Sequence, residues 1–349
     1  MNAFGDVNSS ASSSSSEPRR LCPPTPIRTP AWAAAAGRIC YPDHSLLETK
    51  LLAGDSSGDD NYKVVATLGR GNFADVYKIK TSDGKSFALK YHRRPFRGHR
   101  DRTAAIKEVQ VMERLQQHPN VLQLHRAWQC DGHFLLQTEL CCRATCRDLL
   151  DCHSDNGGLP MDVVAKIGYD IANGLNYVHT AGFVHNDIKP SNILFHPETA
   201  DCKIGDFGMA VSTTDQDCFV EGDQRYMAPE VLRDSTSKPA SDIFSLGLTL
   251  YEASTGTLIP SEGARWHALR DGSTHFYPPT KDATTEQRLI ISMLQPTGRP
   301  TASVICEQLR HGTPPPLLRE FVRAAFEAEA VEPQPVLLLQ SPPETGRVL

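Results

Sequence analysis

An alternation of apolar and polar positions begins at Tyr62 and marks where the chain starts to look folded. The runs YKVVATL, ADVYKIKT and SFALKY are short and rich in β-branched and aromatic residues, and the turn-like segments GRGN and SDGK separate them. A stretch with helical spacing follows at about 102–117, and then come two more strand-like runs, VLQLHRAW and HFLLQTEL. This pattern predicts a β-rich first lobe that also contains one helix.

The second half of the folded region has a different periodicity. From about residue 160 the apolar positions fall at helical spacing, as in VVAKIGYDIANGLNYVH. Strands that come first and helices that come later are typical of an α+β fold with two lobes. We therefore predict a small β-rich lobe followed by a larger helical one.

Both ends of the chain have tail-like compositions. Residues 1–60 contain SSASSSSS and CPPTPIRTP and offer few residues to bury, so we expect a disordered Ser/Pro-rich regulatory tail. The extension 312–349 opens with PPP and ends Pro-rich, with one short helix between. Packing of that helix onto the domain is favoured over a partner site, and both stay open. Its apolar stripe consists of Leu317, Leu318, Phe321, Val322 and Ala325.

Composition narrows the class of protein. Hydrophobic residues make up 40% of the chain, which excludes a wholly disordered or fibrous protein. The net charge of −5 gives no electrostatic reason to expect nucleic acid as a partner. Ten cysteines without a CxxC pair are typical of free thiols in a reducing compartment. With neither a signal peptide nor a membrane span in the sequence, we expect a location in the nucleus, the cytoplasm or both.

A glycine-rich hairpin is the first segment with candidate chemistry. Gly69 and Gly71 lie between two strand-like runs, where glycines let backbone N–H groups approach phosphate oxygens. Lys90 ends an apolar strand fourteen residues after Val76, at the distance where a phosphate-binding ammonium is expected. Each feature alone is common, because two glycines in a hairpin usually mean only a turn.

A second set of residues is far more specific. In HNDIKPSN, Asp187 can accept the proton of an attacking hydroxyl, Lys189 can neutralise a transferring phosphoryl group, and Asn192 can ligate a metal. The sequence DFG places Asp206 fourteen residues beyond Asn192, and APE ends at Glu230. A carboxylate in a turn beside phosphates is what a bridging divalent ion requires.

Taken together, these motifs resemble a eukaryotic protein kinase domain over about 61–311, with an N-lobe at 61–139 and a C-lobe at 140–311. The resemblance implies a bilobal kinase fold that uses ATP and Mg2+, with Asp187 as catalytic base and Asn192 and Asp206 as metal ligands. It also implies a nucleotide site in which Thr138 is the gatekeeper, Glu139 and Cys141 form the hinge, and Ala74 replaces the usual third glycine. The remaining residues of that site are Leu68, Gly69, Gly71, Val76, Ala88 and Lys90.

The same resemblance assigns supporting roles. Glu108 would pair with Lys90, whereas Glu113 is too close to the following HPN turn for the family's spacing. Asp242 would anchor the backbone of the catalytic loop. Glu230 would form a buried ion pair with Arg299, which is costly to break from one side.

Departures from the general kinase pattern point to one branch. Asn186 stands where most kinases have arginine, and Asp223 stands where serine/threonine kinases hold threonine. The stretch EGDQRYMAPE and the later WHALRDG are similar to the Wee/Myt family of inhibitory kinases. That resemblance implies phosphorylation of an inhibitory tyrosine, and in the Myt branch the adjacent threonine, in the glycine-rich loop of a cyclin-bound cyclin-dependent kinase. The chain would then restrain mitotic entry.

Further expectations follow from these assignments. Glu221, Asp223 and Arg225 would lie on the substrate side, and Thr25 and Thr29 each precede proline and are candidate sites for an upstream proline-directed kinase. Because Asn186 carries no charge to bind a phosphate, we expect the protein to be active without phosphorylation of the loop 206–230. A serine/threonine kinase with other substrates and a pseudokinase binding module both remain open as alternatives.

Overall fold

The computed structural model describes residues 62–71, 73–130, 133–214, 222–272, 283–309 and 312–331, with side chains of the last helix to residue 328. The predicted tail 1–60, including Thr25 and Thr29, lies outside these residues, as do Glu221 and the chain after 331.

The first lobe is a twisted antiparallel sheet with one helix against it. Five strands are ordered β1-β2-β3-β5-β4, so the pairs β1 with β2, β2 with β3 and β4 with β5 are hairpins between strands consecutive in the chain. The register sets Val76 opposite Lys90 and Ala88 opposite Thr138, which lines four candidate nucleotide-site positions across the sheet. The strands are β1 (Tyr62–Arg70), β2 (Ala74–Thr81), β3 (Ser86–His92), β4 (Leu124–Cys130) and β5 (His133–Glu139).

Two predicted boundaries in this lobe were wrong. The helix α1 spans His99–Arg114 and not 102–117, because Leu115 closes its last turn and Gln117 adopts a left-handed backbone with φ of 68°. The strand β4 starts at Leu124 and not at Val121. Val121 instead forms an isolated bridge to Ile204, so the chain contacts the second lobe just before β4 begins.

The second lobe is mainly helical, which confirms the predicted α+β class. Its central helix is α3, whose apolar face is buried, and α5 is buried along most of its length. Two small two-stranded sheets accompany the helices: β7 and β8 form a hairpin, and β6 pairs with β9 across the segment that contains that hairpin. The bounds of these elements are α2 (Cys146–His153), α3 (Met161–Thr180), β6 (Phe183–Val184), β7 (Ile193–Phe195), β8 (Cys202–Ile204), β9 (Val211–Ser212), α4 (Pro229–Asp234), α5 (Pro239–Thr255), α6 (Ala264–Ala268), α7 (Thr285–Met293), α8 (Ala302–Leu309) and α9 (Pro316–Val331).

The helix α9 packs onto the domain, as its apolar stripe predicts. Leu318 is 0% exposed and Val322 is 1% exposed, and both belong to the main apolar core. The Cys142 thiol lies 3.8 Å from the Val322 carbonyl oxygen, just beyond the hinge. Lys78 on β2 places its ammonium 5.1 Å from the centre of the Phe326 ring. The helix therefore contacts both lobes.

Membrane insertion has no support in the described helices: none is both long enough and apolar enough to span a bilayer.

Candidate active site

The glycine-rich hairpin forms the upper edge of the cleft. The Gly71 N–H donates to the Ala74 carbonyl at 2.8 Å and closes the turn between β1 and β2. A methyl group at Gly71 would lie 3.2 Å from that same oxygen, whereas one at Gly69 would meet none of the described residues within 4 Å. No described side chain therefore obstructs the approach of the Gly69 backbone to a phosphate.

Lys90 connects three elements at the back of the cleft. Its ammonium donates to Glu108 Oε1 at 3.1 Å and to Asp206 Oδ1 at 2.8 Å. Glu108 is 5% exposed on the inner face of α1, while the alternative Glu113 is exposed to solvent. The structure therefore brings Lys90, Glu108 and Asp206 together, as the kinase resemblance implies.

Charges in this cluster shift one another's pKa values. Burial by itself would lower the pKa of Lys90, but the charges of Glu108 and Asp206 outweigh it and hold that pKa above its usual range. The charge of Lys90 in turn lowers the pKa of Asp206 to about 2, against the effect of burial. Burial raises the pKa of Glu108, which Lys90 opposes. Lys90 and Asp206 are therefore both charged at neutral pH.

Asp242 holds the backbone of the catalytic loop, residues 185–192, in place. Its two carboxylate oxygens accept the backbone N–H groups of His185 and Asn186, each at 2.8 Å. His179 lies 2.8 Å from one of the same oxygens. Asp242 is 0% exposed, so these donors supply the hydrogen-bond partners that its buried carboxylate needs.

Asp187 lies within reach of two donors that orient it. The Lys189 ammonium donates to its carboxylate at 3.0 and 2.7 Å, and Asn192 Nδ2 donates to Oδ2 at 2.8 Å. Both bonds hold the carboxylate toward the cleft, where it can accept the proton of an attacking hydroxyl.

Asn192 and Asp206 fit the role of magnesium ligands. The Gly205 N–H donates to the Asn192 carbonyl at 2.9 Å, so the two candidate ligands stand on adjacent, hydrogen-bonded segments. The Asn192 amide nitrogen donates to Asp187, so its side-chain oxygen is the atom that can serve as a metal ligand. A carboxylate and an amide oxygen are the hard ligands that Mg2+ prefers.

The hinge presents backbone to the adenine position. The Glu139 side chain is turned away from the cleft, where Lys203 contacts it at 3.0 Å and the Gln123 N–H donates to it at 2.8 Å. Thr138 is buried at the gatekeeper position. Burial raises the pKa of Cys141 to about 12, so the hinge cysteine is a neutral thiol. Leu68, Val76 and Ala88 are partly buried around this position.

The substrate-side loop, residues 222–226, begins in contact with the catalytic loop. A methyl group added to Gly222 would lie 2.9 Å from the Asn186 carbonyl, so only glycine fits. Asp223 accepts the Arg225 guanidinium at 3.0 and 2.7 Å. Burial would raise the pKa of Asp223, but hydrogen bonds from Arg225 outweigh it, and the pKa lies below its usual value. The Asp223 N–H lies 3.5 Å from Asp187 Oδ1, which joins this loop to the candidate base.

The ion pair behind this loop is bidentate. Arg299 donates to Glu230 at 2.6 and 3.0 Å, and its guanidinium also lies 4.8 Å from the centre of the Phe244 ring. The pairing implied by the resemblance is therefore present.

Sequence reasoning missed a second buried cluster beneath the loop. The Tyr226 hydroxyl donates to Glu252 Oε2 at 2.5 Å, and Arg147 donates to Oε1 of the same carboxylate at 2.7 Å. These three residues are far apart in sequence and belong to no short motif. Only an acidic residue within the apolar pattern of α5 could have signalled that Glu252 has a buried partner.

The cleft as a whole is arranged for phosphoryl transfer. The Lys90–Glu108 pair and the DFG aspartate must both be in place for this chemistry, and both are. Phe207 is 0% exposed and its ring lies 4.9 Å from that of His185, which fixes the turn that carries Asp206.

Comparison with known proteins gives the family. A profile described as the protein kinase domain matches residues 62–309. A probable protein kinase of Dictyostelium discoideum is 40% identical over 247 residues, which cover 69% of this chain and 69% of that protein. Another kinase from the same organism is 36% identical, and there the match covers 68% of this chain but only 35% of the relative.

Two further relatives have more specific names. The membrane-associated tyrosine- and threonine-specific cdc2-inhibitory kinase of Drosophila melanogaster is 35% identical over 69% of this chain and 45% of that protein. The Wee1-like protein kinase 2 of Danio rerio is 33% identical over 71% of this chain and 51% of that protein. The chain thus spans about half the length of these two proteins. It belongs to the protein kinase family and, within it, to the Wee family that its motifs indicated.

Proposed function

We propose that the chain transfers the γ-phosphate of ATP to an inhibitory tyrosine in the glycine-rich loop of a cyclin-bound cyclin-dependent kinase, and so restrains mitotic entry. The observation that carries the proposal is Asp223 at the position where serine/threonine kinases hold threonine, paired there with Arg225 beside Asp187. The Drosophila relative is named a tyrosine- and threonine-specific cdc2-inhibitory kinase, and that name supports the same substrate class.

The residues of the cleft divide the reaction among them. Magnesium-bound ATP supplies the phosphoryl group and charge neutralisation. Lys90 binds the phosphate oxygens, and Asp206 and Asn192 hold the metal. Asp187 orients the acceptor hydroxyl and takes its proton as the oxygen bonds to phosphorus and the bond to ADP breaks. Lys189, 2.7 Å from that carboxylate, neutralises charge on the transferring group.

The test is phosphosite mapping on the proposed substrate. The purified chain, magnesium-ATP and a cyclin-bound kinase are incubated, and the modified residue is identified by mass spectrometry. We expect phosphate on the tyrosine of the glycine-rich loop, and none with the Asp187→Asn variant or with a substrate whose loop tyrosine is Phe. Phosphate found only on Ser or Thr outside that loop would overturn the proposal.

One observation favours a serine/threonine kinase instead. Lys189 lies two residues after Asp187 and bonds to it, an arrangement that tyrosine kinases proper lack. The mapping experiment distinguishes the two candidates directly, because each predicts a different acceptor.

Location and upstream control are further parts of the proposal. We place the chain in the nucleus, the cytoplasm or both, and we assign Thr25 and Thr29 to a proline-directed kinase because each precedes proline. Imaging of the tagged full chain, with wild-type residues or with Ala at both threonines, tests both points.

A further inference from the structure

Arg270 contacts the backbone of the substrate-side loop, although it comes about 45 residues later in the chain. One terminal nitrogen of its guanidinium donates to the Gln224 carbonyl at 2.8 Å and to the Arg225 carbonyl at 2.9 Å. The other terminal nitrogen donates to the Trp266 carbonyl at 3.1 Å. The planar group thus bridges α6 and the loop 222–226.

Trp266 completes the contact. The Arg270 guanidinium lies 3.9 Å from the centre of the Trp266 ring, and the indole N–H donates to the Gln224 carbonyl at 3.3 Å. Gln224 O therefore accepts from both side chains. The two residues belong to the WHALRDG stretch, which lies more than forty positions later in the chain.

The environment of Arg270 is unusual for a buried cation. The residue is 6% exposed, and its hydrogen-bond acceptors in the described structure are three backbone carbonyls. Its Nε is buried and has no hydrogen-bond partner among the described residues. Burial lowers its pKa to about 10, so the group stays charged at neutral pH. Burying a charge whose acceptors are only carbonyls costs folding free energy, and an apolar side chain would pack there without that cost. The position therefore points to a role for Arg270 beyond packing.

The carbonyls that Arg270 holds lie next to the catalytic machinery. Gln224 and Arg225 directly follow Asp223, whose N–H is 3.5 Å from Asp187 Oδ1. The Tyr226 N–H closes the turn on the Asp223 carbonyl at 2.9 Å. Arg270 therefore controls the shape of a turn whose other end lies against the candidate base.

We propose that Arg270, stacked on Trp266, is a positioning residue that shapes the 222–226 loop to receive the polypeptide substrate. The inference rests on the kinase activity proposed above and adds a determinant of polypeptide binding that is separate from the nucleotide site. Its loss weakens binding of the protein substrate and leaves binding of ATP unchanged.

The conservative variant Arg270→Lys is the sharpest test. Lysine keeps the charge but lacks the planar guanidinium that donates to all three backbone carbonyls at once. Losing a hydrogen bond from a charged donor changes an equilibrium by about tenfold or more. We expect the KM for the cyclin-bound kinase to rise about tenfold, while the KM for ATP changes by less than about twofold.

Arg265→Lys is the matched control. Arg265 lies on α6, five residues before Arg270, and its guanidinium donates to the Tyr251 hydroxyl at 3.0 Å. We expect little change in either KM for this variant. If Arg270→Lys fails to fold, Trp266→Phe keeps a ring beside the guanidinium but removes the indole bond to Gln224, and we expect a smaller rise in the same KM.

Hydrogen exchange separates this inference from the choice of substrate. In Arg270→Lys, amides of 222–226 should exchange faster than in wild type, while those of 202–209 should not. That result with no transfer to a cyclin-bound kinase would overturn the proposed function and support the positioning role. Equal increases in the KM for ATP and for protein, or unchanged exchange at 222–226, would overturn the role of Arg270.

Discussion

The Asn186 side-chain oxygen accepts a hydrogen bond from the Ser237 hydroxyl at 2.5 Å. Asn186 Nδ2 also donates to the Met209 carbonyl at 3.3 Å, just after the DFG turn. Its backbone has φ of 65°, a left-handed conformation that asparagine tolerates well. Asn186, at the position where most kinases have arginine, thus bonds directly to the start of the activation segment (residues 206–230) and to the residues just before α5. Neither contact involves a phosphate.

Activity should therefore not depend on phosphorylation of the activation segment. The entry to that segment is held by backbone pairing of β9 with β6 and by the Thr213 N–H, which donates to the Gly182 carbonyl at 2.9 Å. We expect Ala at Ser212, Thr213 and Thr214 together to keep kcat/KM within about threefold of wild type. The comparison is phosphatase-treated against untreated protein lacking residues 1–60, and a drop of about tenfold or more after phosphatase would show that a phosphate is needed.

Asp187 and Asp206 should fail in different ways. In Asp187→Asn the hydroxyl is no longer oriented or deprotonated, so kcat should fall by about 100-fold or more while ATP binding stays near wild type. In Asp206→Asn the proposed magnesium ligand is lost, and ATP affinity should fall as well. Calorimetric titration with magnesium-ATP checks this, with exposed Asp234→Asn as control. Equal ATP affinity in the two cleft variants would contradict the assigned roles.

Gly222 should not tolerate even a methyl group. A Cβ there would lie 2.9 Å from the Asn186 carbonyl and 3.3 Å from the Met227 side chain, so the loop must move away from the catalytic loop. We expect Gly222→Ala to lower kcat/KM by about tenfold with a modest fall in Tm. Gly98→Ala meets nothing within 4 Å and should leave both unchanged. Similar activity of the two variants would argue against close contact between the loops.

The charges around Lys90 should leave ATP binding insensitive to pH in the neutral range. The pKa of Lys90 lies above its usual range and that of Asp206 is about 2, so we expect a flat KM for ATP between about pH 6 and about pH 9. Because the folded-state pKa of Asp206 is depressed, its contribution to stability is present above about pH 4 and is lost as pH falls toward about 2. The Tm difference between wild type and Asp206→Asn should therefore shrink over that acidic interval, and a constant difference would contradict the shift.

The core contact of α9 should matter for stability. Leu318 is 0% exposed, and its truncation to Ala should cost about 2–5 kcal/mol in the free energy of unfolding. Arg319, the next residue, is exposed, and Arg319→Ala should stay within about 0.5 kcal/mol of wild type. Urea unfolding of both variants measures the difference, and equal midpoints would mean that the helix detaches readily from the domain.

Much of the fold and the centre of the site could be predicted because their signals are local. The candidate base Asp187 and the candidate metal ligand Asn192 are five positions apart in one segment, and Asp206 is followed directly by Phe207 and Gly208. Strand periodicity and turn residues likewise located the first lobe, because each hairpin pairs adjacent runs.

The rest depends on contacts that no short pattern encodes. Val121 looks like part of a strand but pairs with Ile204 in the other lobe, a choice made by tertiary packing. The Tyr226–Glu252 bond and the Arg270 contacts join residues 26 and about 45 positions apart. The sequence shows that such residues are present, and only the packed structure shows which carbonyl or carboxylate they meet.

The contact of α9 with both sides of the hinge has a kinetic consequence. Lys78 lies on β2 of the upper lobe, whereas Val322 contacts Cys142 of the lower lobe. An opening that carried β2 away from α9 would break the contact between Lys78 and the Phe326 ring. A cation–π contact at such a site is worth about 0.5–1 kcal/mol, which favours the closed population by about two- to fivefold. We therefore expect the rate of nucleotide release to depend in part on this helix.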